Sequence, residues 1–239
     1  MHLNIKTQSD VAWLNMEQWD ACDGELPGLD GRECFGGLDL ASTKDVAAFV
    51  LVFPLGDGKY AVQPHFWVPR DGARIRAKRD RVPYDDWIRR GLMEATEGNV
   101  IDYDFIRDRI NELGEQYNIR DIAVDTWAAT QIITQLMGDG FEMTAFRQGF
   151  KSLSPPSKEF EALVLSGRLC HGGHPVLRWM ASNVMAEEDA AGNIKPSKKK
   201  SREKIDGIVA TVMAIGRAGV AAAPVRSRYE MDEPVVVSA

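Results

Sequence analysis

Apolar positions run almost unbroken through two stretches near the start of the chain. Residues 35–41 and 46–53, the latter "VAAFVLVF", predict strands buried on both faces, and 59–68, "KYAVQPHFWV", predicts a third. The intervening "GDG" at 56–58 is a tight-turn signal, so the strands are expected to pair as antiparallel hairpins. The period then lengthens. Phe105, Ile106, Ile110, Leu113 and Tyr117 recur at helical spacing within 102–117. The run "IRDIAVDTW" at 119–127 predicts another buried strand, which ends on Asp125. A helix is expected over 127–137, then a short strand "FEMTAF" at 141–146. Ser154 before Pro155 predicts a helix start, with the helix running to Ser166 and stopped by Gly167. A short helix over 174–184, a hairpin turning at Gly192-Asn193, and a helix from Arg202 to Ala218 complete the pattern. In that last helix Ile205, Ile208, Val209, Val212 and Gly216 form one stripe.

Three regions follow. Residues 1–33 carry Trp13 and Trp19 before Gly24, Pro27, Gly28 and Gly31 break the chain, and they are expected to be a lead-in outside the core. Residues 34–219 form the domain and 220–239 a flexible tail. Three strands in hairpin order followed by helix-strand-helix units define an α/β fold: a mixed central sheet with three antiparallel strands and helices on both faces. That order resembles the ribonuclease H-like fold.

Composition narrows the class. Hydrophobic residues make up 44% and charged residues 27%, ordinary values for a globular domain. No apolar run approaches the ~18 residues of a membrane span, and no secretory signal opens the chain. Three cysteines, Cys22, Cys34 and Cys170, form no paired motif, which fits a reducing cytoplasm. The net charge of −6 argues against nucleic acid, but its distribution argues for it. Six basic residues crowd 70–81, "RDGARIRAKRDR", and six crowd 195–204, "KPSKKKSREK". Arg74, Arg76, Lys78 and Arg79, with Lys198, Lys199, Lys200, Arg202 and Lys204, are the candidate phosphate contacts.

Three acids stand where packing alone would not choose them. Asp39 lies inside the first strand, Asp125 ends the strand at 119–127, and Asp206 flanks the apolar stripe of the last helix. If the first strand and that later strand are neighbours, Asp39 and Asp125 converge, and the last helix can bring Asp206 to the same point. Converging carboxylates repel unless a proton or a cation intervenes. Magnesium favours such oxygens, and two divalent ions can activate water for phosphodiester cleavage. Each acid also has a structural reading: a turn cap or a pairing with a lysine for Asp39, a helix cap for Asp125, a dipole partner for Asp206. Asp45, at the start of the second strand, reads as a solvated turn acid. Cys170, His171 and His174 match no zinc spacing and read as a structural turn, and Trp67, Trp87 and Trp179 read as packing.

The segments "GGLDLASTKDVAAFVLVFP", "AVDTWAATQIITQLMGDG", "FRQGFKSLSPPSKEFEALVLSGRLCHGGHPVLRW" and "KSREKIDGIVATVMAIGRA" together resemble the C-terminal nuclease domain of the large terminase subunit of tailed bacteriophages, of the HK97-like type. The resemblance covers about residues 10–219. It implies a ribonuclease H-like, metal-dependent endonuclease that cuts concatemeric double-stranded viral DNA in the host cytoplasm. It places the family's three catalytic metal-binding aspartates on Asp39, Asp125 and Asp206, with Mg2+ or Mn2+ as cofactor. The implied partners are an upstream packaging ATPase domain, the small terminase subunit and the portal. The chain holds no G-x-x-x-x-G-K-[ST] loop, so an isolated nuclease is expected, with residues 1–33 resembling the segment between motor and nuclease. Other readings stay open: another ribonuclease H-like nuclease such as a resolvase or transposase core, an actin-like nucleotide-binding domain suggested by "GLDLAST", or a DNA-binding module whose metal site is idle.

Overall fold

The computed structural model describes residues 12–40, 45–73, 77, 82–125 and 130–222. Strands β1 (Glu33–Leu40), β2 (Ala47–Gly56) and β3 (Lys59–Pro69) pair antiparallel in sequence order, as the hydrophobic pattern predicts. The β2–β3 turn places Asp57 and Gly58 at φ 49° and 67°, the left-handed pair that matches strand twist in a two-residue hairpin. Further on come α2 (Tyr84–Arg89), β4 (Glu94–Thr96), α3 (Tyr103–Gln116), β5 (Asn118–Val124), α4 (Thr130–Gly138) and β6 (Met143–Ala145). The sheet runs β4-β3-β2-β1-β5-β6, and β5 lies parallel to β1. This is the expected neighbour relation. Strand β2 is buried over its first seven residues because both faces of the central sheet are covered.

The chain continues through α5 (Phe150–Leu165), β7 (Leu169–Cys170), α6 (Pro175–Asn183), a hairpin of β8 (Ala186–Glu188) and β9 (Ile194–Pro196), and α7 (Asp206–Ala222). One face of the sheet packs on α7, α5 and α6 through Val50, Val52, Phe66, Phe160 and Met213. The other packs on α3 and α4 through Phe49, Leu51, Ile106, Ile110 and Ile132. Helix α7 is buried from Asp206 to Ile215, not along one stripe as its pattern predicts. It is sandwiched between β1 and β2 on one side and α5 and α6 on the other, and a helix covered all round must be apolar all round.

Several expectations need correction. Helix α5 begins at Phe150, so Pro155 and Pro156 lie inside it. Ser154 does not cap; its Oγ accepts from Ile194 N at 3.2 Å and ties the helix to β9. The short strands β4 and β7 have no counterpart in the hydrophobic pattern, since two or three residues carry no measurable period. Nor does the lead-in stand outside the core. Helix α1 (Met16–Asp20), capped by Asn15, buries Trp19 completely, with Leu14, Cys22 and Leu29 also buried. Trp19 packs edge-on to Phe160, whose burial requires a cover on that side. At the other end α7 extends to Ala222, and the rest of the expected tail lies outside the described residues.

Candidate metal centre

Asp39 is carried by β1, the strand between β2 and β5, and its side chain is 3% exposed. Alternation puts Phe35, Gly37 and Asp39 on the face that meets α7. A Cβ on Gly37 would stand 2.0 Å from the Ala210 carbonyl oxygen, so only glycine lets the helix approach so closely. That approach brings the first residue of α7, Asp206, beside the end of β1. Its side chain is 4% exposed. Register supplies the third acid. Leu38 pairs with Val124, so Asp125 stands one step beyond β5 where Asp39 stands on β1. Ala123 belongs to the cluster on the α7 face, and Asp125, two residues on, continues that alternation.

A cation already joins two of these acids. Lys198 Nζ lies 2.8 Å from Asp39 Oδ2 and 2.8 Å from Asp206 Oδ1, so the two oxygens are no farther apart than twice that distance. Lys198 meets Asp39 as an ion pair, and Asp206 Oδ2 has no hydrogen-bond partner. Burial pushes the Asp39 carboxyl up to about 7; Lys198 opposes the shift, while Asp206 and then Asp125 add to it. Burial likewise works against the Lys198 charge, but Asp39 and Asp206 outweigh it and hold the ammonium above its ordinary range. The sequence pattern assigns Lys198 to phosphate. Its place between the acids is not visible there, because a run of three lysines signals only a solvated basic turn.

Carboxylate oxygens that converge, are buried and are short of partners are the donor set a hard divalent cation needs. Asp39 and Asp206 fit that role as they stand. Among the described residues, no group of three or more His, Cys, Asp and Glu closes around one point. Asp125 is thus placed by strand register, half-buried, and felt by Asp39 as repulsion. Asp45 sits two residues before β2 and ion-pairs with Lys204, which removes Lys204 as a free basic group.

The remaining candidates sort out by burial. Lys199 and Arg202 are exposed and Lys200 half-buried in the turn before α7. Arg74, Arg76, Lys78 and Arg79 lie outside the described residues. His171 is buried, its Nε2 2.8 Å from the Trp19 carbonyl and its Nδ1 accepting from Gly173 N, with its ring stacked on Trp19 at 4.3 Å. This is a structural histidine. Trp67 is buried on β3, while Tyr84, Trp87 and Trp179 pack against one another.

Comparison with known proteins identifies relatives of this chain. Residues 1–221 match the family model described as "Terminase large subunit, endonuclease domain". The chain is 36% identical over 220 residues to the terminase large subunit of Enterobacteria phage HK97, covering 91% of this chain and 44% of that protein. The crystal structure of the HK97 large terminase superposes with a TM-score of 0.81 at 36% identity, over 87% of this chain and 43% of that one. The large terminase nuclease from thermophilic phage G20c, solved with bound magnesium, shares the fold at a TM-score of 0.52 and 15% identity, over 84% of this chain and 96% of that one. The chain spans about half the length of the curated relatives it matches. The ribonuclease H-like sheet is thus shared with the terminases it matches, and the chain belongs to the terminase large subunit endonuclease domain family.

Proposed function

We propose that this chain is a divalent-metal-dependent endodeoxyribonuclease that cuts concatemeric double-stranded viral DNA during genome packaging. The observation that carries this reading is the convergence of two buried carboxylates, from different elements, on a single cation. Asp39, Asp206 and Asp125 would hold two divalent cations, Mg2+ or Mn2+. Bound there, the ions would supply Lewis acidity and an activated water for phosphodiester hydrolysis. The chain's own contribution is positional. Strand β1 is held by neighbours on both sides and presents Asp39 from a rigid support. Asp206 stands in the first turn of α7, where the helix dipole favours its charge.

Around this centre, Lys199, Lys200 and Arg202, with Arg74, Arg76, Lys78 and Arg79, would contact phosphates. Little sequence preference is expected, because phosphate contacts carry no base information. By family membership the larger assembly would include an ATPase domain ahead of residues 34–219, the small terminase subunit and the portal, all in the host cytoplasm. No described helix is long and apolar enough to cross a membrane.

Plasmid nicking with Mg2+ or Mn2+ tests the reading. The 239-residue chain should nick and linearise DNA, and Asp39→Asn should lower the rate at least ~100-fold, equivalent to about 2.7 kcal/mol of transition-state stabilisation. Cleavage that survives both EDTA and Asp39→Asn would sink the mechanism. Strong selectivity for four-way junctions would instead point to a resolvase.

A further inference from the structure

The two carboxylates that would hold metal already have a cation, and it belongs to the protein. Lys198 Nζ stands at 2.8 Å from an oxygen of each. Its side chain is 42% exposed while those of Asp39 and Asp206 are 3% and 4% exposed, so the ammonium reaches inward from the rim. The turn that carries it is pinned. Ser197 N donates to the Met185 carbonyl at 2.9 Å, Ser201 Oγ donates to the Ser197 carbonyl at 2.7 Å, and Met185 N donates to Ser201 Oγ at 3.0 Å. A fixed backbone and a long flexible stem let the charged head leave without unfolding the turn.

We propose that Lys198 is an internal counter-ion that a divalent metal must displace to occupy the site. The inference rests on the nuclease reading and extends it to how the site is kept empty of repulsion before metal arrives. Two carboxylates held this close in a buried site repel, and a cation between them offsets that repulsion. An ammonium between them meets that need, but it stands where a metal would draw the same oxygens together. Both cations cannot share the position, since their charges repel at contact distance. The metal-free fold is therefore stabilised by Lys198, and metal affinity is lowered by it. Once released, the ammonium can turn to solvent, where a phosphate oxygen would be its next partner.

The test uses Mn2+ alone as probe, with affinity measured by calorimetry and melting followed in chelator and in metal. Lys198→Met keeps most of the length of the side chain and removes its charge. It should melt lower than wild type in chelator, gain more from Mn2+, and bind Mn2+ at least about tenfold more tightly, which corresponds to ~1.4 kcal/mol. If the variant unfolds in chelator, recovery of its helical signal on adding Mn2+ gives the same answer. Unchanged or weaker Mn2+ binding in Lys198→Met would overturn the inference. So would an equal tightening in Lys199→Met, which would assign the effect to the charge of the whole turn. If wild type binds Mn2+ and Lys198→Met behaves identically, only this inference falls. If neither binds Mn2+, the nuclease reading falls and takes the inference with it.

Discussion

Asp39 is an acid whose surroundings oppose its charge, and the apolar residues on either side of it in the chain already say so. A carboxylate inside an apolar strand needs a partner, and the choice of a cation over a simple cap follows from Asp125 and Asp206 recurring at the ends of other elements. That a lysine could pair with Asp39 was legible; which lysine was not. Lys198 is distant in sequence from Asp39, and only folding shows that its ammonium reaches this acid. Two histidines with a buried ring nitrogen make a separate prediction at this scale. Burial pushes His65 down to about 3 and His174 down to about 4 from the ordinary 6.5. Their stabilising contribution is therefore fully present above 6.5 and is lost as pH falls toward the folded-state values, because the unfolded chain takes up protons first. Each should cost about 2 kcal/mol by about pH 5. Urea unfolding from about pH 7 to about pH 5 checks this: wild type should weaken steeply, and His65→Gln/His174→Gln should show a flatter profile.

Elements are where sequence patterns succeeded and failed for identifiable reasons. The hairpin strands, β5 and the α3, α4 and α6 helices follow from period and turn chemistry. Helix α5 defeated its own signal, since Ser-Pro reads as a start, yet the burial of Leu153 and the bond from Ile194 to Ser154 draw the helix a turn earlier. The glycines and prolines of the lead-in point away from the core, whereas its weight lies in Trp19, buried between Phe160 and His171. The decisive pairing is β1 against α7. Gly37 sets their distance, and Asp39 and Asp206 meet because of it. Gly37→Ala should cost about 1–3 kcal/mol through the clash with Ala210, read as a lower melting temperature. It should also shrink the stabilisation that Mn2+ confers, because Asp206 moves with its helix. A variant that melts and responds to metal like wild type would show that the two elements do not need this closeness.

For the whole molecule, charge placement outweighs net charge. A chain at −6 would avoid DNA if its charges were spread evenly. Of the basic groups in 195–204, the structure commits Lys198 and Lys204 to acids, and Lys195 lies near Glu187 and over the Phe150 ring. Lys199, Lys200 and Arg202 remain as the groups without ion pairs among the described residues. Replacing these three with glutamine should weaken DNA binding and reduce the log–log salt slope by roughly 0.9 for each phosphate that is no longer neutralised. A filter-binding or fluorescence titration across salt concentrations reads the slope directly, and an unchanged slope assigns the three to solvent.

By itself the sequence determined the class of fold, three candidate acids and the family, because hydrophobic period, turn residues and unusual polar positions are local properties. Tertiary structure decided what the acids meet. The β1–β5 register aligns Asp39 with Asp125, and the close approach of α7 through Gly37 brings up Asp206. The pinned turn before α7 delivers Lys198 between two of them. Each of these is a distance between residues far apart along the chain, set by packing that no local pattern encodes.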